Sequence, residues 1–353
     1  MSGANETERL LKRLANSPNV HVHRLDMLRD LALLVAFNEQ TYRQASFLDD
    51  RALQPNMTGG WVPIPHLMDA LRGTSPGAPL HFIFHTGHVG STLTSRLLEE
   101  AGSVLSLREP LPLRTLAELH DTLTEVDSLI SGESFAALLD ALLRLWARPY
   151  PDVRTIILKA TSSCARIAPR LLLQRATARA LYLNLKAEPY LATFLAGGSA
   201  GADLRAHGPE RIRRLRGYGL KFDAPYHALT VGELAAMSWL AETWTQRRTA
   251  VAGGDRVLPV DFDAFLGDIE THLARILVHF ELASDSQTVS RISASPTLRR
   301  YSKAPQQEYS AGLREQILAH ARRNFADEIA RGLAWLDRAA RTNAEADAIV
   351  AKR

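Results

Sequence analysis

The sequence predicts an α/β protein. A parallel sheet of about five strands is flanked by helices, preceded by an α-rich N-terminal extension and followed by C-terminal helices. Three observations predict it. Short apolar runs the length of buried strands alternate with segments of helical periodicity. One such strand runs into a glycine-bearing turn and a hydroxyl-led helix. Polar side chains recur where the strands would end, the place at which open α/β sheets bind ligands.

The central stretch is His81–Gly102. His81-Phe82-Ile83-Phe84-His85 reads as a buried parallel strand, and Thr86-Gly87-His88-Val89-Gly90 as a turn. Ser91 and Thr92 open an amphipathic helix that carries Leu93, Leu97 and Leu98 and stops at Gly102. Strand, glycine turn and helix head together make a phosphate cradle. Glycines admit an anion close to the backbone, and the amides and dipole of the helix start favour negative charge. The Ser91 and Thr92 hydroxyls can cap the helix or donate to a phosphate oxygen. The Walker A lysine pattern is absent, because Ser91 follows Gly90 where the lysine would stand.

In the extension, residues 1–78, Leu10, Leu11 and Leu14 mark a short helix and Val20-His21-Val22-His23 alternates as a strand. Leu28–Phe37 and Tyr42–Leu53 read as helical, residues 54–61 as loop, and Pro65–Leu71 as a further helix. His21 and His23 would share a strand face; with no third ligand nearby, a solvated face is favoured over a metal site. Residues 73–79 form the best linker. Beyond the glycine turn, strands are expected at 103–107, 154–159, 179–186 and 255–261, with a leucine-rich helical region over 111–148 broken at Gly132. Strands separated by helices imply right-handed crossovers. Leu234, Met237, Trp239, Leu240 and Trp244 belong to a core helix over 229–248. Residues 269–280 and 313–340 are amphipathic helices, and 341–353 a polar, frayed end.

Composition narrows the function. A chain of 353 residues, 46% hydrophobic and 23% charged, is an ordinary globular protein. Lys and Arg number 42 against 38 Asp and Glu, and a net charge of +4 does not announce a nucleic-acid partner. The single cysteine, Cys164, rules out an internal disulfide and a cysteine-rich metal site, so a reducing compartment is expected. No run is long enough to span a bilayer and the N-terminus is too polar for a signal peptide; the expectation is a cytoplasmic protein without a membrane partner.

Taken in order, these residues resemble the sulfotransferases, and in motif order the protein-tyrosine and glycolipid kinds. The likeness covers roughly residues 80–282. The family's 5′-phosphosulfate loop follows an apolar strand with a basic residue, then G-[ST]-[ST] and a helix. Gly90, Ser91 and Thr92 fall on the triplet and His88 on the basic position, so that activity would be expected to depend on pH, because an imidazole titrates near neutrality. Glu109, in Ser-Leu-Arg-Glu-Pro after the second strand, is similar to the glutamate that deprotonates the acceptor hydroxyl. Lys159, in Ile-Leu-Lys-Ala-Thr after the third, is similar to the lysine that steadies the transferring sulfonate. The 3′-phosphate motif is matched by Lys186-Ala187-Glu188-Pro189, with Ala187 in the arginine slot, so that Lys186 or Thr193 would substitute. Residues 257–266 are similar to the family's later strand and helix. After that strand the family carries a basic lid, matched by Arg299-Arg300-Tyr301-Ser302-Lys303; Arg211–Lys221 matches it in composition alone.

The resemblance implies a P-loop NTPase-like core over 79–282, with a basic lid segment and C-terminal helix over 283–353. It implies transfer of sulfonate from 3′-phosphoadenosine 5′-phosphosulfate to a hydroxyl acceptor without a metal. Glu109, Lys159 and His88 would be catalytic. Thr86, Gly87, His88, Val89, Gly90, Ser91, Thr92, Lys186, Thr193, Arg300 and Lys303 would hold the cofactor. Glu109, half-buried beside Leu107 and Leu111, would have a raised pKa suited to a base, unless it is tied in an ion pair with Arg108, Arg114 or Lys159. Two other readings stand beside this one. One is an ATP- and magnesium-dependent kinase-like enzyme with Asp261 on the metal; the other is a binding protein of the same fold without catalysis.

Overall fold

The computed structural model describes residues 2–72, 74, 77–197, 200–300 and 310–353. The expected fold class holds: a parallel sheet of five strands with helices on both faces. In chain order, β1 (Val20–Asp26), β2 (Leu31–Ala36) and β3 (Gly59–Pro63) form an antiparallel sheet. The strands β4 (Leu80–His85), β5 (Val104–Arg108), β6 (Thr155–Lys159), β7 (Ala180–Asn184) and β8 (Val257–Asp261) form the parallel one, in the order β5-β6-β4-β7-β8.

Every residue of β4, β5 and β6 is buried, as expected of strands covered on both faces. Side chains alternate between two cores. Phe82 and Phe84 face a core shared with Leu105, Leu107, Ile156 and Leu158, the helices Leu111–Asp121 and Gly132–Trp146, and the N-terminal sheet. Ile83 faces a second core built with the helix Ser91–Glu99, the long helix Val231–Gly253 and the C-terminal helices. The sheet order puts β4 and β6 side by side, so the glycine turn after β4 lies next to the carboxyl end of β6 and, one strand further, that of β5.

Several expectations fail for identifiable reasons. Leu28–Phe37 is not helical. Leu28 sits exposed in a turn, and residues 31–36 pair as β2 with β1 and β3, burying Ala32, Leu34 and Val35. A short apolar run carries no period that separates strand from helix. Gly59–Trp61, read as the end of a loop, belongs to β3, so the extension adds a sheet to its helices Ser2–Leu14, Glu39–Gln44 and Ile64–Leu71. Neither His21 nor His23 is solvated: they are 2% and 0% exposed. The last segment is not frayed either. Asn343 caps a helix, Ala344–Val350, that buries Ala346, Ile349 and Val350. The amphipathic stretch 313–340 is two helices, Ala311–Asn324 and Ala326–Thr342. Of the linker, residues 73, 75 and 76 lie outside the described residues. No helix among the described residues is long and apolar enough to cross a membrane.

Candidate active site

At the carboxyl end of β4 the chain reverses through three left-handed residues, Gly87 (φ 106°), His88 (φ 53°) and Gly90 (φ 67°). The two glycines serve packing as well as backbone. A Cβ on Gly87 would lie 3.2 Å from the Phe194 ring, and one on Gly90 would lie 2.0 Å from the Phe262 ring. Gly90 is the N-cap of the helix Ser91–Glu99 and has no side chain with which to cap it. The leading amides and positive dipole end of that helix therefore stay available to a ligand. Thr92 Oγ1 is buried there with no hydrogen-bond partner in the protein. The base of the turn is locked. His85 Nδ1 accepts from the Gly87 amide at 3.2 Å, which leaves Nε2 to donate to the Ala160 carbonyl at 2.9 Å.

Glu109 and Lys159 come from the ends of neighbouring strands. Strand pairing matches Arg108 with Lys159, and the Glu109 amide donates to the Lys159 carbonyl at 2.7 Å. Glu109 sits in the left-handed region (φ 57°), an unfavourable conformation for a non-glycine residue that tends to mark functional sites. Its carboxylate forms an ion pair with the Lys159 ammonium through Oε1. Oε2 accepts from Thr161 Oγ1 at 3.1 Å and faces the Arg114 guanidinium at 3.6 Å. Glu109 is 7% and Lys159 1% exposed. The expected raised pKa is therefore reversed. Burial, the largest single influence, pushes the Glu109 carboxyl up, but the charge and hydrogen bond of Lys159 together with His85 and Arg114 outweigh it and hold the carboxyl down at about 2.

Arg108 takes no part in that pair. Its side chain is fully buried, pairs with Glu99 and donates to Ser95 Oγ at 2.9 Å. Its remaining nitrogen donates to the carbonyls of Tyr42, Arg43 and Ala45 at 3.0–3.3 Å, and its own carbonyl accepts from the Leu48 amide at 2.6 Å. These bonds clamp the N-terminal extension against the end of β5. The clamped segment brings Phe47, whose ring centre lies 5.5 Å from Lys159 Nζ, and Arg51 stacks on that ring at 3.7 Å.

A cleft of about 340 Å³ lies over the glycine turn. His88, Val89, Gly90, Ser91, Thr92, Glu109, Lys159 and Thr193, all expected at the site, line it together. His88 is exposed at its lip, edge-on to Phe194 at 4.5 Å. Thr193 directs its hydroxyl to the Pro189 carbonyl at 2.7 Å. Thr86 and Gly87 lie beneath the cleft, the Thr86 carbonyl taken by Tyr190 OH at 3.0 Å. Lys186 and Arg300 are exposed and do not line it, and Lys303 lies outside the described residues.

The basic side chain that does enter from the C-terminal region is Arg314, paired with Asp263 at 2.6 Å and 5.6 Å above Phe262. Neither Arg314, His85 nor Phe47 was singled out by the sequence. The Arg211–Lys221 cluster is no lid. Arg211 is buried against Glu242, and Arg214 pairs with Glu242 at 2.7 Å and Glu210 at 2.9 Å. Asp261 is committed to a helix cap, accepting from the Ala264 amide at 2.9 Å.

The arrangement can hold an anion between helix-head amides and an ammonium, with a buried carboxylate alongside. No protein-family model and no curated protein matches the chain. Solved structures similar to it include the sulfotransferase domain from the curacin biosynthetic pathway (13% identity, 67% of this chain and 85% of that one, TM-score 0.36). The sulfotransferase domain of the Synechococcus PCC 7002 olefin synthase is similar over 72% of this chain and 97% of that one (12% identity, TM-score 0.36). Sulfotransferase STF9 from Mycobacterium avium is similar over 90% and 96% (13% identity, TM-score 0.36). A likeness at that level assigns neither a residue nor an activity here.

Proposed function

We propose that the chain is a sulfotransferase-like enzyme that moves a sulfonate from 3′-phosphoadenosine 5′-phosphosulfate to a hydroxyl acceptor. One observation carries the reading: the buried Glu109–Lys159 pair opens on the same cleft as the uncapped head of the Ser91–Glu99 helix. The donor fits what lines that cleft. Thr92 Oγ1 lacks a partner, the helix head behind Gly90 is uncapped, and Lys159 and Arg314 supply positive charge for a twice-phosphorylated ligand. The bound donor supplies an activated sulfonate and a phosphate leaving group.

The protein's work is then alignment and charge. Helix-head amides and the Ser91 and Thr92 hydroxyls hold the phosphate end. Lys159, drawn toward the anion, turns away from Glu109, and Glu109 keeps its Thr161 hydrogen bond. Once that neighbouring cation is withdrawn, only His85 and Arg114 still oppose burial, and the proton affinity of the carboxyl rises, as a general base requires. The acceptor oxygen bonds to sulfur as the sulfur–oxygen bond to phosphate breaks, and the hydroxyl proton passes to Glu109. Phe47, Arg51, Arg114 and Thr161 lie around the pair without lining the phosphate cleft, so the acceptor is assigned to that side.

The test is release of adenosine 3′,5′-bisphosphate from the donor, in the presence of chelator, on adding a panel of phenols, sugars and alkyl alcohols. Acceptor-dependent release that Glu109→Gln lowers at least about a hundredfold is the expected result. Release from no member of the panel, together with turnover of ATP and magnesium, would replace this reading with the kinase-like one.

A further inference from the structure

Away from the cleft, the N-terminal extension meets the parallel sheet at a small cavity of about 20 Å³. His21 reaches it from β1, Leu105 and Leu107 from β5, and Trp146 and Tyr150 from the end of the helix Gly132–Trp146 and the turn beyond. Three polar atoms of these side chains, His21 Nε2, Trp146 Nε1 and Tyr150 OH, are buried with no hydrogen-bond partner in the protein. The residues are 2%, 3% and 8% exposed. Buried polar atoms are almost always paired, and three lapses around one cavity call for one cause.

We propose that this cavity is the binding site of a single ordered water that joins the extension to the core. Its size selects the ligand, since one water needs about 10–15 Å³ of such volume and a buried water makes about three hydrogen bonds. The donor inventory fits. Trp146 Nε1 can only donate, so the water accepts from it and donates to His21 Nε2, with the Tyr150 hydroxyl as third partner. A metal ion does not fit, because an indole N–H ligates no cation and Arg148 stands in the same wall. The Arg148 guanidinium is held by the carbonyls of Ser17 and Val20 at 2.6 and 2.8 Å. The His21 ring is fixed by stacking on Phe37 at 4.8 Å and by the edge of Tyr42 at 5.6 Å. Burial, then the neighbouring His23 and Arg148, push its pKa down to about 3, so the imidazole is neutral and can accept.

The site lies at a joint that matters. The strand it touches, β5, ends in Arg108 and Glu109, and the same extension delivers Phe47. The water would bond β1 of the extension to the segment that precedes β6, a link made by no direct side-chain bond among these three residues.

Two measurements decide it. A crystal structure at about 2 Å resolution should show one density peak within hydrogen-bonding distance, about 2.7–3.2 Å, of all three atoms. Tyr150→Phe should lower Tm by about 2–4 °C, because it strips the water of a partner. If the hydroxyl is unpartnered instead, the same variant removes an unsatisfied buried group and Tm rises. A cavity without density, an anomalous-scattering peak from an ion, or a raised Tm for Tyr150→Phe would each overturn the proposal.

Discussion

Glu109 and Lys159 face one another from the ends of β5 and β6, joined twice: by an ion pair between their side chains and by the Glu109 amide on the Lys159 carbonyl at 2.7 Å. A buried ion pair is weak evidence for stability, since desolvation of both charges offsets most of their attraction. Here it is also held with a non-glycine residue in the left-handed region, beside a cleft. A strained pair of opposite charges at strand ends is better explained by what it does to a ligand than by what it adds to the fold.

Glu109→Gln should reduce turnover by about 10²–10⁴-fold, the usual contribution of a general base. It should not weaken the bisphosphate. Removing the carboxylate charge leaves the Lys159 ammonium to the anion, so affinity for adenosine 3′,5′-bisphosphate should hold or rise. Calorimetry alongside a turnover assay checks both, and a parallel loss of binding would make Glu109 structural.

Acid stability should carry the signature of the same pair. Glu109 falls from an ordinary 4.5 to about 2 in the folded protein, so its contribution is complete above pH 4.5 and is lost as pH falls toward 2. That shift corresponds to about 3 kcal/mol. Urea midpoints of the wild type and Glu109→Gln should therefore converge across this window. In Lys159→Met only His85 and Arg114 still oppose burial at Glu109, so its carboxyl pKa should rise and the loss of stability toward acid should shrink. A difference between wild type and Glu109→Gln that ignores pH would remove the coupling.

Gly90→Ala tests the turn. Its Cβ would meet the Phe262 ring at 2.0 Å, in a backbone conformation with φ 67°. A loss of about 2–4 kcal/mol is expected, part steric and part conformational, with weaker anion binding. Phe262→Leu in the same chain should recover the steric part only. Full recovery would show that the left-handed conformation is not needed.

Phe47→Ala should raise the acceptor KM by about 10-fold and leave bisphosphate affinity within a factor of two, since Phe47 stands beside Lys159 but not in the phosphate cleft. Equal losses on both ligands would move Phe47 to the donor side.

The parallel sheet was legible because strands buried on both faces are unbroken apolar runs, and each of the five lies within two residues of its expected limits. β2 was not, because residues 31–36 are apolar without a decisive period, and β3 opens on two glycines that read as turn. The helix Ala344–Val350 hides its buried face in a polar segment. At the site, Glu109 and Lys159 follow from the rule that strand ends bind ligands. Phe47 and Arg314 come from segments far away in sequence, delivered by the Arg108 clamp and by the C-terminal helix, and no local pattern encodes such delivery. The sign of the Glu109 shift stayed open between burial and an ion pair, because it depends on whether Lys159 faces the carboxylate.

The central claim is that helix-head amides and Lys159 hold an anion beside Glu109. Titrating adenosine 3′,5′-bisphosphate into wild type and Lys159→Met, in chelator and by calorimetry, tests it most directly. Metal-free binding that Lys159→Met weakens at least about tenfold, roughly 1.4 kcal/mol, is the predicted result. Equal affinity in the two proteins, or binding only of ATP with magnesium, would contradict it.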